Sequence, residues 1–383
     1  MRMVVAFITV LFVTGSQLAQ TDPCARRSVP VNVVDDRGQP VTGLAENNFT
    51  GSMHHQPVRI VSVRPDGKAR RVLIVLDASG SMTGEQRIWH LYLAVGRNLI
   101  TPIPEGTFVG LIVFSSKIEE NIPLTTSKKS LQDELARLDP GTRAFPKGPR
   151  HTALWDALET AASEFDQPQQ GDAIYAITDG GDNASKTSDK PLEEDLLNRG
   201  IRLFTFSVDP SAGPTPEETN GPASLMELTQ ATGGYAVRFQ NYSPGGPPSL
   251  LSGAGKLSSE GELLMLQFRQ IFSFQRIEVQ LPKAPNKTQE WNLKITGMKT
   301  KDLTLVYPHK LGGCAIQSQK RQLGAIKDGQ FRVGGRVRFF PTGARSRRLS
   351  FPCRGRSAGI IVRSAGATGA DRCDLRGLRG RRR

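Results

Sequence analysis

The sequence predicts an α/β protein built on a doubly wound, mainly parallel sheet flanked by helices. Three observations carry that prediction. Residues 72–76 and 173–178 are short, continuous apolar runs, the pattern of strands buried on both faces of a parallel sheet. The segments between and after them read alternately as helix and strand, which implies right-handed crossovers. Both apolar runs break into clusters of small and acidic residues, at the carboxyl ends of strands where open α/β sheets hold their ligands.

Taken in order, the strand at 72–76 leads to a helix near 85–100. A strand at 108–114 precedes a helix near 130–138, and a loop around Thr152 opens a helix near 154–165. The strand at 173–178 is followed by a short helix near 192–199 and a strand at 202–208. A helix at 222–232 is stopped by Gly233-Gly234, and a short strand at 235–239 closes the alternation. This α/β region is placed at 70–240.

The flanks read differently. Residues 28–66 form a small β-rich segment, with strands at 30–34 and 57–63 separated by the turn-forming run 35–40. Residues 241–258 are rich in Gly, Pro and Ser and read as a linker. Residues 259–310 read as a helix followed by a short β extension, with strands at 277–281, 291–295 and 303–307.

The chemistry is concentrated in Asp77-Ala78-Ser79-Gly80-Ser81. One carboxylate and two hydroxyls at a strand end are hard oxygen donors. They suit Mg²⁺, Mn²⁺ or Ca²⁺ rather than zinc. Two later segments can complete such a site: Thr152, in a loop leading into an apolar-periodic helix, and Asp179, which ends the second buried strand. Helix capping by Ser and Asp accounts for one of these loops but not for three. An aspartyl-phosphate enzyme would want a second carboxylate and a Lys nearby, and residues 77–83 hold neither.

With Thr-Ala-Leu-Trp-Asp-Ala at 152–157 and Ile-Thr-Asp-Gly at 177–180, the chain resembles the von Willebrand factor type A domain with a metal-ion-dependent adhesion site. The resemblance covers residues 71–239. It implies that Asp77, Ser79, Ser81, Thr152 and Asp179 surround one divalent cation, expected to be Mg²⁺ with Mn²⁺ or Ca²⁺ as alternatives. In that family few carboxylates touch the ion directly, so it stays electrophilic and keeps one position open for an Asp or Glu of a protein partner. The resemblance therefore implies binding and not turnover. The second function class is a structural component of a cell-envelope assembly without metal-dependent capture. The stretch 41–44 and Asn48-Phe49 resemble a β-rich segment that precedes the metal domain in exported bacterial members.

Around these five positions, Asp156 is expected to brace its loop by hydrogen bonds, and Thr83 to cap the following helix. Asp182 and Asn183 read equally as turn residues and as groups that orient the ligands. His151 is a poor Mg²⁺ ligand and is placed on the rim. The adjacent pair His54-His55 reads as solvent-exposed.

Charge is divided unevenly. Residues 311–383 carry 18 Lys and Arg against 3 acids, while residues 1–310 carry 32 basic and 33 acidic groups. A near-neutral body argues against nucleic acid as the main domain's ligand. The segment 311–383 sustains no helical or strand period and is expected to be a disordered basic tail, either contacting anionic surfaces or without a role. Residues 1–20 read as a signal peptide: a basic start, then about ten apolar residues where a membrane span needs roughly twenty. The expected location is secreted, periplasmic or in the cell envelope, with no span in the mature chain. Export would permit disulfides among Cys24, Cys314, Cys353 and Cys373, with three connectivities open.

Overall fold

The computed structural model describes residues 23–84, 86–138, 151–208, 215–239, 259–299 and 301–314. The leader at 1–20, the linker at 241–258, all but the first four residues of 311–383, Cys353 and Cys373 lie outside the described residues.

The amino-terminal flank supplies β1 (Arg26–Val34), β2 (Phe49–Met53) and β3 (Gln56–Pro65). The α/β region begins with β4 (Arg71–Asp77), a one-turn helix α1 (Gly80–Gly84) and α2 (Gln86–Ile100). It continues through β5 (Phe108–Phe114), β6 (Ile118–Thr125), α3 (Lys128–Arg137), α4 (Leu154–Ser163) and β7 (Ala173–Ile177). It ends with α5 (Asp189–Arg199), β8 (Arg202–Val208), α6 (Pro216–Thr232) and β9 (Ala236–Phe239). The carboxyl flank contributes α7 (Ser259–Phe272), β10 (Gln275–Gln280), β11 (Gln289–Glu290), β12 (Asn292–Ile295), β13 (Thr304–Val306) and β14 (Lys310–Leu311).

The α/β sheet has the order β6-β5-β4-β7-β8-β9. All neighbouring pairs are parallel except β5 and β6, which are antiparallel. Because side chains alternate across a strand, β4 feeds two cores. Val72, Ile74 and Leu76 pack with Trp89, Tyr92 and Leu135 on the α2–α3 side, where α7 adds Leu264, Phe268 and Ile271. Leu73 and Val75 pack with Leu154, Leu158, Leu196 and Leu228 of α4, α5 and α6 on the other. The apolar runs at 72–76 and 173–177 are continuous because both faces are covered: every residue in them is buried. Truncating any of the leucines to Ala would cost about 2–5 kcal/mol.

The flanking segments are two parts of one structure. Their strands form a single antiparallel sheet of order β12-β2-β3-β10-β1-β13. β10, from beyond the α/β region, lies between β1 and β3, from before it, with Arg26 opposite Gln280 and Gln275 opposite Pro65. Val31, Val58, Ile277, Val279, Trp291 and Leu293 fill its core. Cys24 and Cys314 form a disulfide across 290 positions, closing the same join covalently. The α/β region is thus inserted between β3 and β10.

Several sequence expectations are corrected. β2 and β6 had no counterpart among the expected strands: Phe49–Met53 contains a Gly and a Ser, and Ile118–Thr125 is an edge strand whose residues are largely exposed or half-buried. The helix expected at 222–232 starts at Pro216, because Thr215 and Glu218 form a capping box there, leaving Pro222 inside the helix. The helix expected at 192–199 starts at Asp189. β2 and β3 are joined by a two-residue turn in which His54 and His55 both take left-handed φ values, 48° and 63°. Among the described residues no helix is long and apolar enough to cross a membrane.

Candidate metal centre

The three loops at the carboxyl ends of β4 and β7 and before α4 converge on one rim of the α/β sheet. β4 and β7 are neighbours with Leu76 opposite Ile177, so Asp77 and Thr178 leave the sheet side by side. The Asp77 carboxylate is fully buried. Its Oδ1 accepts from the Ser79 N–H at 2.8 Å and its Oδ2 from the Thr178 hydroxyl at 2.7 Å. The Ser79 and Ser81 hydroxyl oxygens are 3.2 Å apart.

Asp179 follows Thr178 and is buried. Its Oδ1 accepts the Gly181 N–H at 3.0 Å, while Oδ2 is buried without a hydrogen-bond partner. An ionised oxygen in that position is costly unless something positive meets it. The same conflict shows in the proton affinities. Burial, and then the charge of Asp179, push the Asp77 carboxyl up to about 7. Burial also raises Asp179, with the Glu218 carboxylate adding to it, while the Ser81 hydroxyl and the Gly181 N–H oppose the rise. Two crowded carboxylates facing three hydroxyl-bearing residues form an oxygen-only donor set with excess negative charge. That is the donor chemistry of a hard dication, so the residues present fit the expected ion.

Thr152 is buried and joins the group through its backbone. Its N–H donates to Asn183 Oδ1 at 2.9 Å, and its carbonyl accepts from the N–H groups of Asn183 and Ala184 at 3.0 Å each. The loop after Asp179 therefore holds the Thr152 loop in place. Asp182 extends this tie. Ala153, at the N-cap of α4, has no capping side chain, and Asp182 Oδ1 takes that role from outside the helix, accepting from Leu154 N–H at 2.8 Å. Asp156 makes bracing hydrogen bonds, but to the loop after Asp179 and not to its own, its carboxylate accepting from the N–H groups of Lys186 and Thr187. Asp182 and Asn183 orient the Thr152 loop. Thr83 lies in the last turn of α1 and donates its hydroxyl to the Ser79 carbonyl at 2.8 Å. His151 is exposed, on the rim.

Two contributors escaped sequence reasoning. Thr178 reads in the sequence as the end of a strand, and its place beside Asp77 follows only from the parallel pairing of β4 with β7. Glu218 belongs to the start of α6, six residues before the helix that the sequence predicts at 222–232.

The family model described as von Willebrand factor type A domain matches residues 72–181. Among curated proteins, the chain is 28% identical over 173 residues to calcium-activated chloride channel regulator 1 of Bos taurus, covering 44% of this chain and 17% of that protein. It is 30% identical over 169 residues to calcium-activated chloride channel regulator 4 of Homo sapiens, covering 43% and 16%. The match thus spans about a sixth of the length of these relatives. A solved von Willebrand factor type A structure from Catenulispora acidiphila aligns over 76% of this chain and 75% of its own, at 11% identity and a TM-score of 0.42. The chain carries a von Willebrand factor type A domain.

Proposed function

We propose that the chain is a metal-dependent protein-binding module that captures an acidic side chain of a partner through a divalent cation. The observation that carries this reading is the buried Asp179 carboxylate, whose Oδ2 has no hydrogen-bond partner although the group lies close enough to Asp77 and Ser81 to act on both. Asp77, Ser79, Ser81, Thr152 and Asp179 would hold the ion, with Mg²⁺ the preferred species and Mn²⁺ or Ca²⁺ as substitutes. When bound, the ion supplies an electrophilic centre able to accept a carboxylate from outside. The hydroxyls of Ser79, Ser81 and Thr152 are neutral donors, so they would leave much of the ion's charge for that ligand.

The reading includes export. The disulfide between Cys24 and Cys314 belongs to an oxidising compartment, in keeping with a leader at 1–20 and a secreted, periplasmic or envelope location. The partner is a protein presenting Asp or Glu, and the near-neutral body argues against nucleic acid.

Calorimetric titration of the purified chain with Mg²⁺ and Mn²⁺ tests the reading. Wild type should take up one ion per chain, and Ser79→Ala and Asp179→Ala should lose at least tenfold in affinity. Acidic peptides should then bind in Mg²⁺ and be released by EDTA. A folded chain that takes up no dication refutes it.

A further inference from the structure

The first two turns of α6 press directly on the Asp179 loop. A Cβ on Gly221 would fall 1.9 Å from the Gly180 carbonyl oxygen, and Gly180 itself, at φ 90°, packs against Pro222. Only glycine at these two positions permits the approach. A Cβ on Gly181 would lie 3.3 Å from the Glu218 Cγ and 3.5 Å from Asp179 Oδ1. The contact therefore delivers Glu218 to the backbone segment that holds the metal-site carboxylate. The Glu218 carboxylate is fixed there by a capping box, its Oε2 accepting from Thr215 N–H at 2.9 Å while the Thr215 hydroxyl accepts from Glu218 N–H at 3.2 Å.

Capping explains why the side chain is ordered, but not why a Gly-lined contact brings a further acidic residue against the loop of the buried Asp179. Like charges at close range are destabilising unless a counter-charge is shared. The buried Asp179 Oδ2, without a hydrogen-bond donor, points independently to that missing counter-charge.

We propose that Glu218 is part of the cation site, a third negative charge that acts on the ion across space and raises its affinity for dications without being one of its direct ligands. The inference rests on the metal-dependent reading given above. It assigns to α6 a role in metal retention in addition to packing against β8.

The test compares wild type with Glu218→Gln and Glu217→Gln in calorimetric titrations with Mn²⁺ and Mg²⁺. Glutamine is an accepted capping-box residue, so Glu218→Gln removes the charge and keeps the cap. Glu217→Gln removes a charge from the same helix turn at an exposed residue. Glu218→Gln should weaken dication binding by about tenfold at low ionic strength, and the difference should shrink at high salt, as a through-space charge effect must. Glu217→Gln should stay within about twofold of wild type. Equal binding by wild type and Glu218→Gln, or an equal loss in both variants, overturns the inference while leaving the metal site intact. No uptake by wild type overturns both the inference and the reading beneath it.

Discussion

The Thr178 hydroxyl bridges the two carboxylate loops: it donates to Asp77 Oδ2 at 2.7 Å and accepts from the Gly180 N–H at 3.0 Å. One buried oxygen thereby fixes the carboxylate of one loop and the backbone of the next. Replacing Thr178 by Val keeps the shape and strands both partners in a buried setting. Thr178→Val should lose roughly 2–4 kcal/mol of stability in urea unfolding, whereas Thr178→Ser should stay close to wild type. If Val unfolds at the wild-type midpoint, the bridge has no energetic weight.

The raised Asp77 carboxyl sets a pH dependence with a definite sign. Unfolded, the group titrates near 3.8; folded and metal-free, burial and then Asp179 push it up to about 7. Between those values the folded chain holds a proton that the unfolded chain releases. This contribution to metal-free stability is therefore present at low pH and is lost as pH rises through that window. A dication reverses the demand by requiring the ionised form, so its affinity should climb from pH 5 and level off above about 7. Urea unfolding in EDTA at pH 5 and pH 8 checks the first part. Wild type should lose stability relative to Asp77→Asn on going to pH 8, and a constant difference would contradict it.

What the sequence makes legible follows from how local each signal is. The runs Val72–Leu76 and Ala173–Ile177 announce themselves because both faces of β4 and β7 are covered, so no polar residue interrupts them. Asp77, Ser79, Ser81 and Asp179 sit at the ends of those runs and can be read from the same stretch. The joined outer sheet cannot be read this way. The pairing of Arg26 with Gln280 depends on contacts across some 250 residues, and nothing in either strand alone specifies its partner. β6 is hidden for a related reason: Glu119, Glu120 and Asn121 suit a solvent-facing edge and weaken the strand pattern. Pro222 misplaced the start of α6, since proline usually marks a first turn. Here the turn was already specified by Thr215 and Glu218.

Asp182 caps α4 from another loop, which links helix stability to the position of Thr152. Its Oδ1 accepts from Leu154 N–H at 2.8 Å and from the Ser185 hydroxyl at 2.5 Å. Asp182→Ala should cost about 1 kcal/mol, the usual worth of an N-cap. It should also weaken Mg²⁺ binding several-fold, because the Thr152 loop loses one of its anchors. Ser188→Ala serves as a control: Ser188 is the N-cap of α5 and makes no side-chain capping bond, so neither quantity should change. A loss of stability in Asp182→Ala with unchanged metal affinity would separate the helix cap from the site.

Arg202 ties the α/β region to the outer sheet. It is fully buried, with Nε donating to the Gly233 carbonyl at 2.9 Å, Nη1 to the Gln270 carbonyl at 2.9 Å and Nη2 to Asn32 Oδ1 at 2.5 Å. These acceptors belong to the end of α6, to α7 and to β1. Each is neutral, and burial accordingly lowers the guanidinium to about 9, with the Arg70 charge contributing. The Phe204 ring lies 4.7 Å from its carbon centre and partly offsets the missing carboxylate. Lysine cannot reproduce three donors at fixed angles, and methionine withdraws all three, leaving the Gln270 carbonyl only its bond from Asn32 Nδ2 at 3.1 Å. Arg202→Met should destabilise the chain by roughly 3–5 kcal/mol, and Arg202→Lys by a large part of that. Asn32→Ala should be costly too, because Asn32 Nδ2 also donates to the Ser273 carbonyl at 2.6 Å. Since the two side chains share one hydrogen bond, the double variant should lose less than the sum of the single losses, by about 1–3 kcal/mol. Strict additivity in that cycle would mean that Arg202 and Asn32 stabilise their regions separately and that the two are not clamped through this pair.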